Sequence, residues 1–248
     1  MLRLCEVLLF FGAVALSTGC ATSRRDNAPD KTAAQHDSGR AHDALVWCID
    51  TSLSPAPDQF VKMKSIFRDA VARDIQANDL VWLLGTDTQA HPAVLFPFPA
   101  TGLRRSEAEL AKRTMHAQRE HLIGILAQFV QAAKVTDVRT AAEYGLNILQ
   151  GAKRARRKRF VMASDFIQDL GLRGASPDPP PPSAGMSASG VEVILFVARP
   201  KAEYLKALHL TATELYQTVS SKWTQYYRDM GAESTVTLLV DAVPVGSY

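Results

Sequence analysis

Ala44-Leu45-Val46-Trp47-Cys48-Ile49-Asp50-Thr51-Ser52-Leu53-Ser54 is the stretch that decides the fold. Six apolar residues run without polar alternation and then give way abruptly to an acid and three hydroxyl side chains. A strand that is apolar on both sides is buried on both faces, as in a parallel sheet whose crossover helices cover both surfaces. The polar residues that follow would lie at the strand's C-terminal end, the edge at which open α/β sheets bind ligands.

Working outward, the same alternation of buried strand and helix continues. Behind Pro55 and Pro57, the spacing of Phe60, Met63, Ile66, Phe67, Ala70, Val71 and Ile75 predicts a helix. Leu80–Gly85 reads as a second buried strand. Ala93–Phe98 reads as an antiparallel edge strand, where Pro97 and Pro99 lose little by lacking a donor. A helix is expected from a cap at Ser106 to about Lys134, with Leu110, Leu122, Ile125, Leu126, Phe129 and Val130 on its buried face. Another is expected over Val138–Arg156. Strands at 160–163 and 191–198, a helix over Tyr204–Met230 and a last strand at 236–240 complete the order β-α-β-β-α-α-β-β-α-β. The expected fold class is α/β, a three-layer α-β-α open sheet, mostly parallel with one antiparallel edge strand. Residues 171–190, with Pro179–Pro182 in a row, read as a flexible, structureless loop.

Ahead of this domain the composition changes. Arg3 precedes an apolar run, Val7–Leu16, too short to span a bilayer and closed by small residues. The run ends Leu16-Ser17-Thr18-Gly19-Cys20, which resembles the lipobox of bacterial lipoproteins, although Leu16 stands four residues before the cysteine where that family prefers three. The resemblance implies a signal peptide at 1–19, a lipid on Cys20, and a place in the cell envelope, at the outer membrane if the source is Gram-negative. Ordinary cleavage near Ala21 with secretion is the alternative. Residues 20–42 are polar and poor in aromatics, and read as a disordered tether to a folded domain at 43–248. Cys5 goes with the signal peptide and Cys20 would carry the lipid, so Cys48 is left without a partner for a disulfide and reads as a small core residue.

The net charge of +3 over 248 residues is too small to point to nucleic acid. No phosphate-binding glycine loop occurs, and the six histidines show no zinc-ligand spacing. The basic run Lys153-Arg154-Ala155-Arg156-Arg157-Lys158-Arg159 follows a helix, where cations suit the dipole and solvent; anionic lipid headgroups or an acidic partner are the functional reading.

The D-x-S-x-S spacing of Asp50, Ser52 and Ser54, then Thr136 before a helix, then Ser164-Asp165 after a later strand, resembles the metal-ion-dependent adhesion site of von Willebrand factor type A domains. The matches span Ala44 to Val240. Phe166 stands where that family usually has glycine, and Thr140 competes with Thr136 for the threonine's role. The resemblance implies direct ligation of Mg²⁺ or Mn²⁺ by Ser52, Ser54 and Thr136, with Asp50 and Asp165 acting through bound water. A hard cation of this kind takes oxygen donors and keeps several waters. With little direct anionic ligation it stays electrophilic, so a protein ligand offering an acidic side chain would complete its coordination. The expectation is therefore a non-enzymatic, envelope-anchored binding module of unassigned oligomeric state. The alternatives are a scaffolding lipoprotein with a vestigial site and a metal-dependent hydrolase using Asp50 and Asp165.

Overall fold

A computed structural model describes residues 43–76, 79–86, 94–95, 105–134, 136–169 and 174–243. The expected signal peptide, Cys20 and the tether lie outside these. In chain order the elements are β1 (Asp43–Ile49), α1 (Pro57–Arg73), β2 (Leu80–Gly85), β3 (Val94–Leu95), α2 (Arg105–Gln128), α3 (Val138–Gly151) and β4 (Arg157–Ser164). They continue with β5 (Gln168–Asp169), β6 (Ala175–Ser176), β7 (Val191–Val197), α4 (Ala202–Leu208), α5 (Ala212–Thr218), α6 (Thr224–Asp229) and β8 (Ser234–Leu239). A π-helical turn, Val219–Trp223, joins α5 to α6.

The main sheet has the order β3-β2-β1-β4-β7-β8, with every pairing parallel except that of β3 on β2. Because successive strand residues point to opposite faces, β1 feeds two cores. Ala44, Val46 and Cys48 join Phe160, Met162, Val193 and Leu195 beneath α3, α5 and α6, where Trp223 and Tyr227 are fully buried. Leu45, Trp47 and Ile49 join Val161, Ala163 and Phe196 beneath α1 and α2. The unbroken apolar run is thus explained by burial on both faces. Trp47 stacks on Phe67 of α1 with ring centroids 5.5 Å apart. α3 lies so close to the sheet that a Cβ on Gly145 would meet the Phe160 ring at 2.5 Å. Cys48 is buried in the first core.

Four expectations need correction. The helix expected to reach Lys134 stops at Gln128, because the N–H groups of Ala132 and Ala133 donate instead to Thr51 O, and Ala133 O accepts from Leu53 N. On α2 and just beyond it, Leu110 and Val130 are exposed rather than buried. The helix expected over Tyr204–Met230 is broken: His209 takes a left-handed conformation after α4, and Thr211 and Glu214 form a capping box that starts α5 afresh. The described part of the proline-rich segment, 174–190, is tied to the domain rather than structureless. There β6 pairs with β5. The Trp223 indole donates to Pro177 O at 2.9 Å, Lys222 pairs with Asp178 at 2.7 Å, and the Ser183 hydroxyl donates to the Glu143 carboxylate at 2.7 Å.

Candidate metal site

In this strand order the chain moves from β1 outward to β2 and β3, then returns to the other side of β1 with β4. The order therefore reverses between β1 and β4, and side chains at the C-terminal ends of those two strands flank the crevice where open sheets take ligands. Asp50 follows β1 directly, and its N–H donates to Ala163 O of β4. Asp165 follows β4.

Asp50 organises the site. Its Oδ1 accepts the Ser52 N–H at 2.9 Å and the Thr86 hydroxyl at 3.0 Å, and its Oδ2 accepts the Ser164 hydroxyl at 2.5 Å. It does not cap α1, whose N-cap is Ala56 with no side-chain hydrogen bond. The turn that Asp50 makes with the Ser52 N–H puts Ser52 and Ser54 on one side of the loop, their hydroxyls 2.9 Å apart. The loop is held from outside: Leu53 N–H donates to Ala133 O, Lys201 N–H to Ser54 O, and the Gln131 amide to Ser52 O and Pro55 O.

Asp165 is the unusual member. Its Oδ1 accepts the Ile167 N–H at 3.0 Å, whereas its Oδ2 is buried with no hydrogen-bond partner. Burial and then the nearby Asp50 carboxylate push the Asp165 pKa well above its usual range; the Ile167 N–H and the Ser54 hydroxyl offset part of this. A desolvated carboxylate oxygen without a donor costs free energy. The position therefore suits a group that brings positive charge.

Phe166, in place of the glycine the resemblance leads one to expect, adopts φ +59°. The left-handed turn is thus kept without glycine. The strain of placing a bulky residue there is offset by complete burial of the ring, 5.2 Å from Trp223. The Phe166 N–H donates to Ser164 Oγ, fixing the hydroxyl that donates to Asp50.

The structure brings Asp50, Ser52, Ser54 and Asp165 together, whereas Thr136 is tied to β5. Thr136 is buried, and its backbone pairs in both directions with Asp169 of β5, but no hydrogen bond links it to the other four. Thr140 is excluded from the threonine's role: it is exposed and its hydroxyl donates to Asp137, which caps α3. Two further residues belong to the site. Thr86, at the end of β2, and Ser164 bind Asp50 directly. Thr86 follows a strand adjacent to β1, which was the only signal for it in the sequence.

No three His, Cys, Asp or Glu side chains converge as a metal cage among the described residues. The donors here are two carboxylates and a set of hydroxyls, a composition that suits Mg²⁺ or Mn²⁺ rather than a softer metal. The cluster is enclosed: Asp50 and Asp165 are 0% exposed and Ser52, Ser54 and Thr136 1%.

No family model matches the chain, and no curated protein matches it. Among solved structures it is similar to an aerotolerance-related membrane protein from Bacteroides fragilis NCTC 9343, at 14% identity and a TM-score of 0.38, over 62% of this chain and 67% of that one. It is also similar to the pilus adhesin SpaC from Lactobacillus rhamnosus GG in its open conformation, at 10% identity and a TM-score of 0.43. That match takes in 82% of this chain but only 29% of the adhesin. No helix among the described residues is long and apolar enough to cross a membrane.

Proposed function

We propose that this chain is an envelope-anchored binding module that holds Mg²⁺ or Mn²⁺ at the C-terminal edge of its sheet and engages an acidic side chain of a protein partner. The observation that carries the reading is the bare, buried Oδ2 of Asp165 beside Asp50 and the Ser52–Ser54 hydroxyl pair. Two carboxylates confined together in a medium of low dielectric repel one another, and a cation between them removes that cost. Ser52, Ser54 and Thr136 are the direct donors this reading names. Asp50 keeps its hydrogen bonds and supplies charge, and Asp165 supplies the free oxygen. When bound, the cation supplies an electrophilic centre for an incoming carboxylate. The von Willebrand factor A resemblance supports the same division of roles.

Enclosure of the cluster and the mutual hydrogen bond of Ser52 and Ser54 favour a second reading, a scaffolding protein whose hydroxyls satisfy one another without a metal. Capture of partners from envelope extract separates the two. The binding module should retain a partner in Mg²⁺, release it in chelator, and fail to retain it after Ser52→Ala. Capture that is indifferent to both chelator and substitution would leave the scaffold.

A further inference from the structure

At the opposite edge of the sheet the basic run is divided by the pleat of β4. Arg157 and Arg159 point to the α1 side, and both pair with Glu192 on β7, at 3.0 and 3.1 Å. Arg156 pairs with Asp43 at 3.1 Å. Lys153, Arg154 and Lys158 are left with no ion pair among the described residues, and Lys153 and Arg154 are exposed. Lys158 alternates with its neighbours and lies on the α3 side, the face that Phe160 and Met162 line further along β4.

On the other face an open cavity of about 540 Å³ lies between α1 and α2; on the α3 side a separate one of about 390 Å³ is walled by Leu80, Trp82, Ile148, Ala152, Lys153 and Arg154. The second combines a half-buried indole, aliphatic side chains and two free cations. Of the three tryptophans, Trp47 and Trp223 are 3% and 0% exposed, so Trp82 alone is placed to meet another surface. An indole with an apolar surround and a rim of Lys and Arg is the composition of an interfacial membrane contact. Asp43, the first residue of β1, lies at this same edge, where Arg156 pairs with it.

We propose that this edge docks on an anionic phospholipid bilayer, with Trp82 at the headgroup level and Lys153, Arg154 and Lys158 against the phosphates. Docked in this way, the domain would turn its cation site, at the far ends of the same strands, away from the membrane. The contact does not depend on the cation site. It shares with the proposed function only the expectation that the chain is held at a membrane.

The test uses the purified full chain with vesicles of phosphatidylcholine, alone or mixed with phosphatidylglycerol, each carrying a brominated acyl chain that quenches tryptophan on contact. Trp82 fluorescence should be quenched on the anionic vesicles, recover in high salt, and stay unquenched on phosphatidylcholine. Lys153→Gln with Arg154→Gln should lower the ratio of docked to undocked protein roughly thirtyfold, as expected for two basic contacts. Trp82→Phe should remove the quenched signal while leaving the sedimented fraction nearly unchanged. Quenching that is equal on both vesicles, or that survives the double substitution, would overturn the proposal. Cys20→Ser separates this contact from the anchor: loss of membrane association in cells with anionic quenching retained supports docking without touching the anchor, and loss of quenching as well would overturn docking as a contact in its own right.

Discussion

The two edges of this sheet carry charge in opposite ways. At the C-terminal edge Asp50 and Asp165 are fully buried, share their surroundings with hydroxyls, and have no cationic partner in the described contacts. At the N-terminal edge Arg156, Arg157 and Arg159 pair with Asp43 and Glu192 in partly exposed bridges. Solvent screens the second set, so each pair there stabilises little. The first set is desolvated, so every hydrogen bond made or missing there weighs heavily. The two proposals follow this contrast, a surface contact at the basic edge and a bound cation at the acidic one.

The strongest way to break the comparison is Asp50→Ala. It orphans the Ser52 N–H and the Thr86 and Ser164 hydroxyls together, and should cost about 3 kcal/mol in chemical denaturation, even after relief of repulsion with Asp165. A cost under about 1 kcal/mol would show that the buried edge is no more demanding than the exposed one. Next in size is Phe166→Gly. Relief of the left-handed strain returns roughly 1 kcal/mol, whereas loss of a fully buried ring against Trp223 costs about 3 kcal/mol or more. A net loss of about 2 kcal/mol is expected; a stabilised variant would mean that the strain outweighs the packing.

The smallest effect belongs to the other edge. Glu192→Gln removes the acceptor of Arg157 and Arg159 and should cost below about 1 kcal/mol, less in high salt. Burial raises the Glu192 pKa, but the two guanidiniums outweigh it and hold it below its ordinary value of 4.5. A lowered carboxylate pKa contributes stability above the unfolded value, so the difference between wild type and Glu192→Gln should fade as pH falls below 4.5 and through the lowered value. A difference that grows on acidification would contradict the assignment.

The sheet was legible because burial on both faces leaves an unbroken apolar run, and β1, β2, β4 and β7 all show one. The break between α4 and α5 was written in Thr211-Ala212-Thr213-Glu214, a capping pattern masked by the apolar periodicity around it. The packing of the proline-rich segment was not legible, since it depends on Glu143, Lys222 and Trp223, each some 40 residues distant along the chain. Likewise Asp50, Ser52, Ser54 and Asp165 declare themselves by spacing and by position after strands. Thr86 becomes visible only once β2 is known to lie beside β1, and setting Thr140 aside needed the cap that Asp137 makes.

The most direct test of the cation site is the melting of the purified protein as Mg²⁺ or Mn²⁺ is added, in wild type and in Asp165→Asn. Linkage predicts that the wild type gains about 2.7 kcal/mol at a hundredfold excess over the dissociation constant. Asp165→Asn, freed of its buried charge, should melt no lower than the metal-free wild type and gain nothing from either ion. A wild type unmoved by both ions, or a substituted protein stabilised as strongly as the wild type, would contradict the account.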